Sequence, residues 1–307
     1  KTHHLINRTV GINRTHLNKN MKKYILTMVV LCLAMAVQAQ DEEQVDAYFT
    51  PEEMPDMMVF LPGPPDSTSV AFMNDVARYY WGKEIRKDPK RAAEAIRDAV
   101  YGLETILTEF EEVFGLKVTK EDTPEIYKVL LEGTATCDSI CKVPKAAYMR
   151  RRPFMVFNET TLTPTHEESL RLNGSFPSGH TLLGWSAALL MMEINPDRAT
   201  EILTRGYRYG ENRLVVGAHW QSDTDAARLA ASAAYARLHT SERFLEQMKK
   251  ARAEFMALKG GDVVETPAAD AQSGKTPDGT AYTLQGTPAT DNTRGIVVRQ
   301  GMKAVQR

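Results

Sequence analysis

Hydrophobic positions recur along most of this chain at intervals of three and four, and period-two alternation is hard to find. "SVAFMNDVARYYWGKEIRK" sets Val70, Met73, Val76, Ala77 and Tyr80 on one helical stripe. "PKRAAEAIRDAVYGLETILTEFEEVFG" continues helically and stops at Gly115. "TPEIYKVLLEGTATCDSICKVPKAAYMR" predicts two helices, the first opened by Thr123 and Pro124 with Glu125 near its start. "HTLLGWSAALLMMEI" is apolar almost throughout, and predicts a central buried helix too short to span a bilayer. "DRATEILTRGYRYGENRL" and "QSDTDAARLAASAAYARLH" are further helices, and "SERFLEQMKKARAEFMALK" is a last amphipathic one. The expected fold class is all-α.

The ends follow other rules. Residues 1–20 are basic and polar, repeat "INRT", and are expected as an upstream extension or disordered leader. Residues 21–39 read as a signal peptide: Lys22 and Lys23 precede an apolar run from Ile25 to Val37, and Val37-Gln38-Ala39 offers small residues for cleavage near Ala39. That implies a periplasmic or secreted protein. Residues 40–66 are proline-rich toward their end and are expected as an extended segment wrapped on the core. Residues 67–259 form the expected main domain. Residues 260–307, rich in Gly, Thr, Pro, Ala, Asp and Gln, are expected as a disordered C-terminal tail.

The chain has 307 residues, 43% of them hydrophobic, enough for one or two domains with a real core. The net charge of −1 gives no global attraction to nucleic acid or an anionic membrane, so any basic site must be local. No span is expected in the mature chain. Beyond the signal segment with its Cys32, two cysteines remain, Cys137 and Cys141, four residues apart. In an oxidising compartment they can pair; buried free thiols are the alternative, and two thiols with no nearby histidine make an incomplete zinc set.

Three polar clusters carry candidate chemistry. In "KVPKAAYMRRRPF", Lys145 and Arg152 stand seven apart, two turns along one helical face, and Pro153 pushes Arg152 out of helical geometry. In "NGSFPSGHTLLGWSAALL", Ser178, Gly179 and His180 sit where the apolar helix begins, where free N–H groups favour an anion. In "GENRLVVGAHWQSDTDAAR", His219 and Asp223 are neighbours on a helix surface, and the carboxylate can fix the imidazole tautomer. Arg213 adds a cationic fork suited to phosphate, and Asp225 reads as surface or capping. Each cluster alone also fits a solvated face, an ordinary cap or a polar helix side. Together they supply three cations, a helix N-terminus, two histidines and an orienting carboxylate, which is what phosphoryl transfer requires.

The pattern K-x6-R-P (Lys145, Arg152, Pro153), P-S-G-H (Pro177 to His180) and R-x5-H-x3-D (Arg213, His219, Asp223) resembles the three-part motif of the type 2 phosphatidic acid phosphatase (PAP2) superfamily. From about Tyr48 to Lys259 the chain is similar to the bacterial class A nonspecific acid phosphatases. The resemblance implies a compact helical bundle and metal-independent hydrolysis of small phosphate monoesters through a phosphohistidine, without a cofactor. It implies that His219 attacks, Asp223 orients it, and His180 protonates the leaving alcohol. Lys145, Arg152, Ser178, Gly179 and Arg213 would hold the phosphate. Phosphotransfer to other alcohols and assembly into a homo-oligomer stay open. Where the family usually has Ser before the third-motif arginine this chain has Asn212, and a tuned phosphate site is expected. The alternatives are a vanadium-dependent haloperoxidase-like enzyme, which shares this motif, and a non-catalytic phosphate-binding protein.

Overall fold

The computed structural model describes residues 45–259 and the strand segments 282–283, 295–299 and 302–306. The leader and the signal segment lie outside the described residues. The chain divides into two compact units, 1–255 and 256–307.

The described helices are α1 (Met57–Phe60), α2 (Val70–Ile85), α3 (Pro89–Arg97), α4 (Leu103–Phe114), α5 (Pro124–Asp138), α6 (Lys142–Tyr148), α7 (Pro153–Phe157), α8 (Glu167–Arg171), α9 (Gly179–Ile194), α10 (Ala199–Val216), α11 (Gln221–Leu238) and α12 (Glu242–Leu258). The described part of the first unit holds helices and connecting loops only, as its apolar spacing predicts. α9 is the central helix. Ser178 caps it by accepting the Thr181 N–H, and Leu182, Ala187, Ala188 and Leu190 on it are fully buried. It packs against α5, α10 and α11. α12 closes the core with Phe244, Met248, Ala251 and Phe255. Before α1, Tyr48 and Met54 bury their side chains in the same core. Among the described residues no helix is long and apolar enough to cross a membrane.

Three local expectations are corrected, each for a physical reason. α2 does not bury the predicted stripe: Val70, Met73 and Tyr80 are exposed, whereas Asp75, Tyr79 and Gly82 are buried. A buried ionic network at Asp75 decides which face turns inward. The stretch from Pro89 to Gly115 is two helices rather than one, because Gly102 takes φ +144°, a conformation unfavourable for other residues. Lys145 and Arg152 do not share a helix. α6 ends at Tyr148, Met149 turns left-handed, and Arg152, extended at φ −77° and ψ 157°, opens α7. Pro153 therefore starts a helix at its first position, where its missing N–H costs nothing.

Most of the tail lies outside the described residues. Residues 282–306 include three short antiparallel strands, β1 (Tyr282–Thr283), β2 (Gly295–Arg299) and β3 (Met302–Gln306), in the order β1-β2-β3. Val298 pairs with Tyr282 on one side and Lys303 on the other. The β-branched run Ile296-Val297-Val298 is the local preference that the composition of the tail conceals.

Candidate active site

The three sequence clusters converge at one end of the helical unit. Lys145 comes from α6, Arg152 from the turn before α7, and Ser178, Gly179 and His180 from the start of α9. Arg213 stands in the last turn of α10, whose end is fixed by Gly217 at φ +89°. His219 lies between the helices rather than on one. Trp220 is the N-cap of α11 and Asp223 its third residue. The Ser178 N–H donates to the Asp223 carbonyl at 3.0 Å, which ties the second cluster to the third.

Lys145, Arg152, Gly179, His180 and His219 line one cavity of about 290 Å³, with Tyr101 and Asp138 beside them. His219 is 1% exposed and Asp223 fully buried. The His219 Nδ1 lies 3.2 Å from Asp223 Oδ2, and Arg152 Nη1 lies 2.8 Å from His219 Nε2. A guanidinium N–H can only donate, so Nε2 accepts and the ring proton sits on Nδ1, facing the carboxylate. The lone pair that faces the cavity is therefore on Nε2. The remaining Arg152 hydrogen bonds go to backbone carbonyls, including Leu170 at 2.9 Å and Ala218 at 3.1 Å, and Lys145 Nζ donates to Gly174 at 3.0 Å.

Arg213 is the cation whose donors are least satisfied. Its side chain is buried, yet Nε and Nη1 have no hydrogen-bond partner. A buried guanidinium with idle donors is costly unless a ligand completes it. Burial pushes both Arg152 and Arg213 down to about 10. Burial, then the Arg152 charge, pushes Lys145 down to about 8. His219 is held well below the usual histidine range by burial and by Arg152, Lys145 and Arg213. His180 is lowered likewise by burial, Arg213 and His219. A site with these properties attracts an anion and keeps His219 neutral. His180 Nε2 lies 3.1 Å from the Ala99 carbonyl, which can only accept, so that nitrogen carries a proton.

Other expectations fare differently. Asn212 turns away from the cavity. Its Nδ2 donates to Asp98 at 2.7 Å and Glu94 at 3.0 Å, and its Oδ1 accepts from Arg91 at 2.9 Å. It therefore belongs to a network with Arg91, Glu94 and Asp98, none of which lines the cavity. Asp225 pairs with Arg228 at 3.1 Å. Cys137 and Cys141 are free, buried thiols, so the disulfide their spacing allows is not formed. Cys137 packs in the core, while Cys141 lines the cavity and donates to Asp138 Oδ1 at 3.6 Å. Among the described residues no group of three or more His, Cys, Asp or Glu is placed to hold a metal ion.

Sequence reasoning missed Arg150. Its Nη1 donates to Asp223 Oδ1 at 2.6 Å and Ser222 Oγ at 2.8 Å, and its Nη2 to Asp75 Oδ2 at 2.7 Å. Asp75 in turn accepts the Ser222 N–H at 2.7 Å. Asp223 is thus held on Oδ1 by Arg150 and on Oδ2 by the Trp220 N–H at 2.9 Å, and the latter oxygen faces His219. The signal was a polar residue, Asp75, inside a helical segment whose apolar stripe faces solvent.

Residues 127–243 match the model of the PAP2 superfamily. The chain is 42% identical over 205 residues to a non-specific acid phosphatase of Providencia stuartii, covering 66% of this chain and 82% of that protein. It is 37% identical over 234 residues to a non-specific acid phosphatase of Salmonella typhimurium, covering 76% and 92%. An acid phosphatase of Zymomonas mobilis is 34% identical over 200 residues, covering 65% and 75%.

Proposed function

Since this chain belongs to the PAP2 superfamily, alongside its nonspecific acid phosphatases, we propose that it hydrolyses phosphate monoesters through a covalent phosphohistidine on His219. The observation that carries the reading is the buried cationic cavity around a tautomer-fixed histidine, with Arg213 left short of partners.

In this reading the phosphate sits among Lys145, Arg152, Arg213 and the first amides of α9, capped by Ser178. Arg152 leaves His219 Nε2 for a phosphate oxygen as substrate enters. The Nε2 lone pair attacks phosphorus, and the bond to the alcohol oxygen breaks. The imidazolium that forms keeps its Nδ1 proton against Asp223. The negative charge of the substrate raises the proton affinity of His180, offsetting the nearby cations that depress it. Its Nε2–H being committed to Ala99, the Nδ1 proton goes to the leaving oxygen. Neutral His180 then accepts a proton from water, whose oxygen attacks phosphorus, breaks the P–N bond and releases phosphate. The cations act on charge spread over the equatorial oxygens, a role typically worth roughly 10²–10³ in rate per donor.

The cavity grips phosphate and leaves the alcohol loosely specified, which supports broad monoester hydrolysis and interception of the phosphoenzyme by other alcohols. Export rests on the reading of residues 21–39, and no step above calls for a metal. The test is hydrolysis of p-nitrophenyl phosphate at pH 5–6 with EDTA present. Turnover is expected in the unmutated chain and lost in His219→Ala, with inorganic phosphate still bound. Full activity in the variant refutes the assignment.

A further inference from the structure

A cavity built for an anion should hold no acid of its own, yet Asp138 lines this one. It is the last residue of α5, on the wall that also carries Cys141 and Lys145. None of the steps above uses it.

The groups that face Asp138 can be named element by element. From the loop between α3 and α4, Tyr101 lines the same cavity. From the turn after α5, Cys141 Sγ lies 3.6 Å from its Oδ1. From its own helix, Cys137 is near enough to feel its charge. From α6, Lys142 and Lys145 act on it as cations. Across the cavity stand Arg152, Gly179, His180 and His219. Among the described residues no Lys or Arg forms a direct ion pair with it, unlike Asp75, Asp98 and Asp223. Burial raises its proton affinity, against the opposing pull of Tyr101, Cys141 and the two lysines.

We propose that Asp138 is a charge gate for phosphate: neutral, it admits the anion to the cavity; ionised, it opposes the anion and so restricts turnover to acidic solution. This rests on the phosphatase reading of the same site. The physical reason is that two anions would share one poorly screened cavity. Coupling is reciprocal, so bound phosphate makes Asp138 retain its proton. Above the ionisation of free Asp138, phosphate binding must take up one proton. Affinity then falls up to about tenfold per pH unit beyond the slope set by the other groups.

The experiment uses inorganic phosphate, so that it reads the gate whether or not the chain turns over. Calorimetry in two buffers of different ionisation enthalpy gives the protons taken up on binding, for the unmutated chain and for Asp138→Asn, between pH 5 and 8. The ionisation of phosphate itself is common to both and cancels. The unmutated chain should take up as much as one proton more, and the two should bind within about threefold of each other at pH 5. The alkaline limb of kcat/KM for p-nitrophenyl phosphate should move upward in Asp138→Asn. Tyr101→Phe removes a hydroxyl that favours the ionised carboxyl, and should move that limb upward by a smaller step. It reports on the gate even if Asp138→Asn fails to fold. Equal proton uptake, or superimposable pH profiles in the folded variants, overturns the proposal, as does absence of phosphate binding at every pH. Binding with proton linkage but no turnover leaves the gate standing and removes the phosphatase reading instead.

Discussion

Replacing Arg150 by Met tests how far the proposed nucleophile, His219, depends on a residue outside the cavity lining. The Arg150 side chain is 9% exposed and forms ion pairs at 2.7 Å with Asp75 and 2.6 Å with Asp223, both carboxylates being fully buried. Methionine keeps the apolar stem but leaves two buried carboxylates without their cation. Breaking a buried pair by removing one partner typically costs about 3–5 kcal/mol. For a unit of this size each kcal/mol lowers Tm by roughly 2–4 °C, so a fall of about 6–20 °C is expected. Adding Asp75→Asn removes one of the stranded charges, and the double variant should recover part of the loss, with a coupling energy of about 1–3 kcal/mol. Urea unfolding followed by circular dichroism gives both quantities. In the folded variants kcat should fall more than KM rises, because Asp223 loses the clamp on Oδ1 that aims Oδ2 at His219. A single variant within about 1 kcal/mol of the unmutated protein, or a double variant whose losses simply add, would refute the reasoning.

Two further predictions concern pH. Lys145, pushed down to about 8, loses its charge as pH rises through that value, so the thermal stabilisation given by phosphate should weaken between pH 7 and 9; Lys145→Arg should keep more of it, and an identical decline in both proteins would exclude Lys145 as the cause. His219 and His180 are held neutral by burial and neighbouring cations, so the unfolded chain binds more protons than the folded one below about pH 6.5. Without phosphate, their contribution to stability should therefore be lost as pH falls from about 6.5 toward their lowered values, by up to about 1.4 kcal/mol per pH unit for each. Comparing the unmutated protein with His219→Gln from pH 6.5 to 5 isolates the share of His219, and parallel curves would contradict it.

The candidate site residues were legible because their chemistry is local. Ser178 before an apolar run marks a helix start, and Pro153 marks a break in helical geometry at Arg152. The His219 and Asp223 spacing survives even though His219 lies outside the helix, since the cap of α11 brings the Asp223 carboxylate back toward it. The inward face of α2 was not legible. Its apolar stripe predicts burial of Val70 and Met73, and burial went instead to Asp75, Tyr79 and Gly82. Apolar spacing reports a hydrophobic gain, whereas this face is chosen by an ion network whose other members lie 75 and more residues away.

The sequence by itself determined the helical class, the start of the central helix at Ser178, and the inventory of cations, histidines and carboxylate, because each follows from side-chain chemistry or short-range spacing. Tertiary structure alone decided that Arg150 holds Asp223, that Asn212 joins Asp98 and Glu94, that Cys137 and Cys141 stay apart, and that Asp138 faces the phosphate cavity. These depend on which distant groups packing brings within hydrogen-bond reach and removes from water, and no periodicity along the chain encodes that.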